Sequence, residues 1–201
     1  MTESPLSIRI PEELVGERII VRPYREEDAP AFWEAIEESR AHLAPWLPWV
    51  HYYQTPADVP PFLIRSRARW LLREDMVVGI FERATGRFLG GSGLHRIDWS
   101  RRSFEIGYWL RKSAEGRGYV SETVQLLTRL AFDTLAAYRV EIRMNVKNDR
   151  SRHVPERLGF VHEGILRCVG VPETPGGRPC DDHVFALIPE EYSQLPWRTQ
   201  Q

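Results

Sequence analysis

Two short segments carry residue types whose spacing could do chemistry. The first is Arg111 to Glu122, R-K-S-A-E-G-R-G-Y-V-S-E. A strand-like run enters it, two glycines straddle Arg117, and a helix-like run leaves it. Such a turn exposes consecutive backbone N–H groups at a helix N-terminus, where glycine lets an anion approach and the helix dipole favours negative charge. Residues 101–118 hold five bases and two acids, so the chemistry on offer is phosphate binding. A dinucleotide fingerprint needs a third glycine where Ser121 stands, and a P-loop needs G-K-[ST], which is absent. The second segment is Asn148 to Phe160, N-D-R-S-R-H-V-P-E-R-L-G-F. Asn148 offers a donor and an acceptor to an amide, and Ser151, one helical turn on, sets a hydroxyl on a nearby face. Taken singly, these are also what a tight turn and an ordinary N-cap look like. Taken together they favour chemistry.

The elements that must position these residues follow from periodicity. Arg18 to Arg22 reads as a first strand. Asp28 is placed to cap, and Pro30 to open, an amphipathic helix over Ala31 to Ser39. Glu26 to Glu38 holds six acids and no base, either a solvated helix face or an acidic rim for a cationic substrate. Leu43 to Tyr53, L-A-P-W-L-P-W-V-H-Y-Y, is either a loop capping the core or an aromatic wall facing substrate. Val59, Phe62, Leu63, Ser66 and Trp70 mark a second helix. Met76–Glu82 and Phe88–His95 form a hairpin through Ala84-Thr85-Gly86, and Ser103–Leu110 is a further strand. Val120, Val124, Leu127, Ala131 and Thr134 define the inner face of a third helix. Val140, Ile142, Met144 and Val146 alternate with polar residues in a strand. A helix over Asp149–Leu158, then strands over Phe160–Val169 and His183–Ile188 around a loop at 172–180, complete the order. It is a mixed α/β pattern in one domain, residues 1–201.

Composition narrows the class. Lys plus Arg is 27 and Asp plus Glu is 28, against a general nucleic-acid binder. The balance is uneven along the chain, net −3 over residues 1–100 and +2 over 101–201. Cys168 and Cys180 fit neither a zinc ribbon nor a C-x-x-C pair, and no metal site is expected. Without a signal-like start or an 18-residue apolar run, the expectation is a reduced, soluble, cytoplasmic protein.

Six pieces in order carry a family likeness: E-R-I-I-V-R-P-Y-R-E-E-D-A (17–29), H-L-A-P-W-L-P-W (42–49), F-E-I-G-Y-W-L (104–110), E-G-R-G-Y-V-S-E (115–122), N-D-R-S (148–151) and R-L-G-F-V-H-E-G (157–164). The chain resembles the GNAT superfamily of acetyl-coenzyme A-dependent N-acetyltransferases, and more narrowly the branch that acetylates N-termini of ribosomal proteins. That resemblance implies a mostly antiparallel, twisted sheet with a central splay, flanked by helices. It implies that the turn Arg111, Lys112, Ser113, Ala114, Glu115, Gly116, Arg117, Gly118, Tyr119 holds the pyrophosphate of acetyl-CoA. It further implies that the pantetheine arm lies in the splay along the backbone of Tyr108, Trp109 and Leu110, that Asn148 contacts the arm, and that Ser151 sits near the thioester sulfur. Three positions depart from the pattern. Ser113 stands where Gln or Arg is common, Pro155 interrupts the second motif's helix, and Gly170 stands where close relatives can carry an acidic base.

Acetyl transfer in a ternary complex needs a neutral amine and a proton for the departing thiolate. An α-amine, with pKa of about 7.7–8, is partly neutral at pH 7, whereas lysine, near 10.4, is not, so a weak base signal suits an α-amine. Glu105 is the first base candidate and Glu163 the second. His95 and His183 titrate in the useful range, and Ser151 is the candidate general acid. Cys168, lacking a paired histidine, is expected to be buried in a strand. Trp46, Trp49 and Glu34 are expected at the acceptor entrance. Three functions stand: acetylation of a protein N-terminus, acetylation of a small amine such as a polyamine, amino sugar or antibiotic, and non-catalytic acyl-CoA sensing. The aromatics and the 172–180 loop also permit a homodimer.

Overall fold

The computed structural model describes residues 4–172 and 177–199. Eight strands form one sheet in the order β1-β2-β3-β4-β5-β6-β8-β7. They are β1 (Leu14–Val15), β2 (Ile19–Arg22), β3 (Met76–Glu82), β4 (Phe88–Asp98), β5 (Ser103–Leu110), β6 (Arg139–Asn145), β7 (Val161–Leu166) and β8 (Asp182–Leu187). Every neighbouring pair is antiparallel except β5 and β6. The helices are α1 (Ala29–Leu43), α2 (Val59–Leu71), α3 (Tyr119–Arg129), α4 (Asp149–Leu158) and α5 (Pro189–Tyr192). No helix among the described residues is long and apolar enough to cross a membrane.

Period-two alternation divides the interior into two cores. Ile80, Leu89, Phe104, Ile106 and Leu110 pack with Val124, Leu127, Val154 and Leu158 of α3 and α4. Their chain neighbours Phe81, Phe88 and Trp109 pack with Phe32, Ile36 and Leu63 of α1 and α2. Side chains of one strand point alternately to opposite faces, so each strand serves both layers.

The parallel pair makes the opening. β5 and β6 are in register only at Ser103↔Arg139, Phe104↔Val140 and Glu105↔Glu141. Beyond Glu105, β5 stays paired with β4 on its other edge as far as Leu110, while β6 turns toward β8. A V therefore opens between residues 106–110 and 142–145.

Most elements lie where periodicity set them, and the deviations have local causes. Thr134 is exposed and Leu135 is buried in its place. A π-turn over Leu130–Thr134 inserts one residue into the helical repeat, which rotates the inner face by one position. Asp28 stands before α1, but its carboxylate turns back to Arg22 at 2.8 Å and to the Arg25 N–H at 2.8 Å rather than capping the helix. β7 ends at Leu166 because the chain turns: Cys168 has φ +57° and its N–H donates to Asp181 Oδ1 at 2.8 Å. Cys168 is consequently exposed, not buried in a strand. Part of the 172–180 loop, residues 173–176, lies outside the described residues.

Candidate active site

The glycine turn begins where β5 ends. A 3-10 turn over Lys112–Ala114 leads to Gly116 (φ +73°) and Gly118 (φ +79°), which precedes α3. Only glycine takes that backbone without strain. Gly118 has no side chain to cap α3, and the amides of Gly116, Arg117 and Gly118 find no acceptor among the described residues. Together with the first turn of α3 they leave a row of open amides at a helix N-terminus, a geometry that suits an anion. The turn is braced from β2: Arg18 donates to the Arg117 carbonyl at 2.7 Å and pairs with Glu122 at 3.0 Å. That leaves the Arg117 guanidinium exposed, with no hydrogen bond or ion pair among the described residues.

The preceding residues have their backbone amides or a buried side chain already engaged, which corrects three expectations. Arg111 is buried and its guanidinium is held by Glu34 and Glu38 of α1, with Nε 2.7 Å from Glu38. A buried guanidinium needs paired charge, so Arg111 is spent inside and does not face an anion. Glu34 is paired with it and does not line the cleft described below, which corrects its expected place. The Ser113 N–H donates to Glu38 at 2.7 Å and the Lys112 N–H to Ser39 Oγ at 2.9 Å. The open anion site is therefore narrower than 111–119 and starts at Gly116. Partial burial pushes the Glu38 carboxyl up, but the bonds from Arg111 and Ser113 prevail and hold it at about 2. Ala114 is buried. Glu115 gathers Lys112 at 2.8 Å, Arg150 at 2.9 Å and His42 at 2.5 Å, so it organises cations beside the turn.

The splay carries a second cluster on the α3/α4 side. Asn148 caps α4, its Oδ1 accepting from the Ser151 N–H at 3.1 Å, so half of its amide is structural. Pro155 lies inside α4. Having no N–H, it cannot bond the carbonyl four residues back, that of Ser151. The Tyr108 hydroxyl donates to that carbonyl at 3.0 Å, and Ser151 Oγ donates to the Tyr108 oxygen at 3.1 Å. The departure at Pro155 thus has a structural counterpart on β5. Burial pushes the Tyr108 phenol well above its ordinary range, so it stays protonated as a donor. Trp109 points to the other layer, packed on Phe32 and Trp49.

On the α1/α2 side of the same V stand charged residues from four strands. Glu105 lies 3.3 Å from Arg96 and 3.4 Å from Arg143, and its Oε2 is buried without a hydrogen bond. Burial raises its carboxyl and the two arginines oppose that rise. Glu141 is gripped by Arg139 at 2.8 Å and Arg143 at 2.6 Å. Asp182, opposite Asn145 in register, brings a third carboxylate. One cleft of about 930 Å³ is lined by Gly116 and Gly118 at one end, Tyr108, Asn148 and Ser151 along it, and Glu105, Arg143 and Asp182 at the other.

The aromatic loop divides between its two readings. Trp46 and Leu47 line the cleft. Trp49 does not; it packs edge-on to Tyr53 and Trp109 as part of the core, which corrects its expected substrate role. Glu163 is paired with Arg139 at 2.6 Å outside the cleft. His95 bonds Asp75 at 2.7 Å, and His183 bonds His162 at 3.0 Å. Arg96, Arg143 and Asp182 escaped the sequence reading because each sits on a different strand, and only the register brings them together.

A splayed parallel pair with open amides at a helix end beside it can receive an extended chain that carries an anionic group. The acetyltransferase (GNAT) domain model matches residues 18–161, and the chain belongs to that family. It is 32% identical over 155 residues to "Putative ribosomal N-acetyltransferase YdaF" of Bacillus subtilis (strain 168), covering 76% of this chain and 83% of that protein. It is 24% identical over 162 residues to the ribosomal-protein-serine acetyltransferase of Escherichia coli (strain K12), covering 76% and 84%. Its fold matches that of RimL, a ribosomal L7/L12 alpha-N-protein acetyltransferase solved with coenzyme A, at TM-score 0.79 and 23% identity, over 88% and 98% of the chains. It matches that of MccE, a microcin C7 self-immunity acetyltransferase solved with acetyl-CoA and AMP, at TM-score 0.80 and 20% identity, over 86% and 93%. The protein is an N-acetyltransferase with acetyl-CoA as cofactor. The open amides at 116–118 and the unpaired edge of β5 fit that group.

Proposed function

We propose that this enzyme acetylates a primary amine, in the first place the α-amine of a protein N-terminus of the ribosomal type, in the cytoplasm and by direct attack in a ternary complex. The observation that carries this is one continuous cleft with a hydroxyl pair on one face of the splay and carboxylates on the other. Acetyl-CoA supplies the acetyl group as a thioester. Gly116, Arg117 and Gly118 hold the pyrophosphate, the edge of Tyr108–Leu110 aligns the arm, and Asn148 keeps Ser151 at the first turn of α4. Ser151 gives a proton to the sulfur side, while Tyr108 fixes its rotamer. Glu105 holds the arginine pair that shapes the acceptor end, and Trp46 forms its wall.

An α-amine asks little of a base at neutral pH, since its pKa is only about 7.7–8. The deciding measurement is coenzyme A release against serine- and alanine-starting peptides, free lysine, spermidine and an aminoglycoside. Peptides should give the highest kcat/KM. Preference for spermidine or the aminoglycoside would replace the peptide reading with the small-amine one. Tight acetyl-CoA binding without acceptor-dependent release would replace it with a sensor.

A further inference from the structure

Three carboxylates face the acceptor side of the splay, and two are already neutralised. Glu141 is held by Arg139 and Arg143, and Glu105 by Arg96 and Arg143. Asp182 has no hydrogen bond or ion pair from its carboxylate among the described residues, yet it lines the cleft and is only partly exposed. The space it occupies is left by another residue. A Cβ at Gly170 would lie 2.2 Å from Asp182 Oδ1 and 2.9 Å from its carboxyl carbon. Any side chain at 170 would therefore drive the carboxylate away. Gly170 is held in place by its N–H, which donates to the Cys180 carbonyl at 2.8 Å.

We infer that Asp182, seated in the space that Gly170 leaves open, receives the acceptor's ammonium group and takes its proton. This deepens the amine reading above and rests on it. The ammonium nitrogen gives one proton to the Asp182 carboxylate, leaving a neutral amine and a carboxylic acid that later returns the proton to solvent. The amine lone pair then forms the C–N bond as the C–S bond breaks. The nitrogen's second proton is lost to water, and the sulfur gains one from Ser151, which solvent restores. The charged groups around Asp182 are Arg143 on β6 and Arg96 on β4, both shared with Glu105 on β5, and Asp181 and His183 beside it. Desolvation raises its carboxyl and the two arginines oppose that, which moves a carboxylate toward the range useful to a base.

The test compares the full-length wild type with Asp182→Asn, Gly170→Ala and Glu105→Gln. The acceptors are a hexapeptide with a free N-terminal serine and, separately, spermidine. Asp182→Asn should lower kcat/KM about 100-fold at pH 7. The deficit should narrow above about pH 8, where the α-amine deprotonates unaided. Peptide affinity measured by calorimetry should fall, with coenzyme A affinity and Tm unchanged. Gly170→Ala should reproduce part of this loss with the carboxylate still present, and Glu105→Gln should lose less than Asp182→Asn. An Asp182→Asn enzyme within twofold of wild type at every pH on the acceptor that wild type prefers overturns the inference. A wild type that ignores the peptide but acetylates spermidine overturns only the peptide reading, because the Asp182 variants are then read on spermidine.

Discussion

The two faces of the splay are built in opposite ways. The proposed cofactor face comes from two continuous segments, 108–122 and 148–155, and works largely through backbone. Its anion site is three open amides and a helix end, and its hydroxyl pair is set by a cap, a proline and one tyrosine. The acceptor face comes from four strands and works through side-chain charge, with Arg96, Glu105, Arg143 and Asp182 meeting only through register. Backbone recognition depends on local conformation, so it survives wherever the local sequence survives. Charge recognition depends on long-range pairing, so one substitution can re-balance it. This contrast explains how one fold keeps its donor and changes its acceptor.

Breaking the brace behind the cofactor face should have the largest effect. Arg111→Ala empties a buried position and removes its charged hydrogen bonds to Glu38 and to the more exposed Glu34, which should cost about 2 kcal/mol. A thermal melt should show it, together with weaker coenzyme A binding, since Glu38 also holds the Ser113 amide. Retention of both would mean that α1 does not brace the turn.

The hydroxyl pair can be tested by a cycle. Tyr108→Phe should cost about 1 kcal/mol through the orphaned Ser151 carbonyl and lower kcat about tenfold. Adding Pro155→Ala returns an N–H to that carbonyl. The double variant should recover stability and not kcat, which separates the packing role of Tyr108 from its hold on Ser151. Ser151→Ala should slow turnover without abolishing it, because a thiolate with a pKa near 8.5 leaves fairly well unaided. An unchanged kcat in a folded Ser151→Ala enzyme would remove Ser151 from the proton path.

Acid should loosen the same brace. The Glu38 carboxyl lies at about 2 in the folded chain, below its unfolded value of about 4.3. Its contribution is therefore complete above that unfolded value and is lost as pH falls through it toward 2. Melting curves across this window should show a fall that Glu38→Gln removes.

The smallest effect should separate the two tryptophans. Trp46→Ala should raise the acceptor KM a few-fold with coenzyme A affinity unchanged. Trp49→Ala should lower Tm instead, since its ring packs against Tyr53 and Trp109. The reverse pattern would exchange the wall and core assignments.

How much was legible follows the same division. The strand over 103–110, the helix over 149–158 and the glycine turn were readable because periodicity and φ > 0 are local properties. Arg111 was misjudged because its neighbours suggested a basic patch. Nothing near it in sequence says that Glu34 and Glu38, more than seventy residues earlier, close over it. Thr134 was misjudged because a single inserted π-turn shifts a helical phase that is otherwise strict.

By itself the sequence determined most of the elements, the glycine turn, the capped helix carrying Ser151 and the family. Those rest on hydrogen bonds and periodicities that span only a few residues. The tertiary structure alone decided which charges are spent and which are free. It set Arg111 inside, gave the Ser151 carbonyl a donor from β5, and brought Asp182 into the space at Gly170. A charge's availability depends on the partners that distant segments bring to it, and in this chain the register of β5, β6 and β8 chooses those partners.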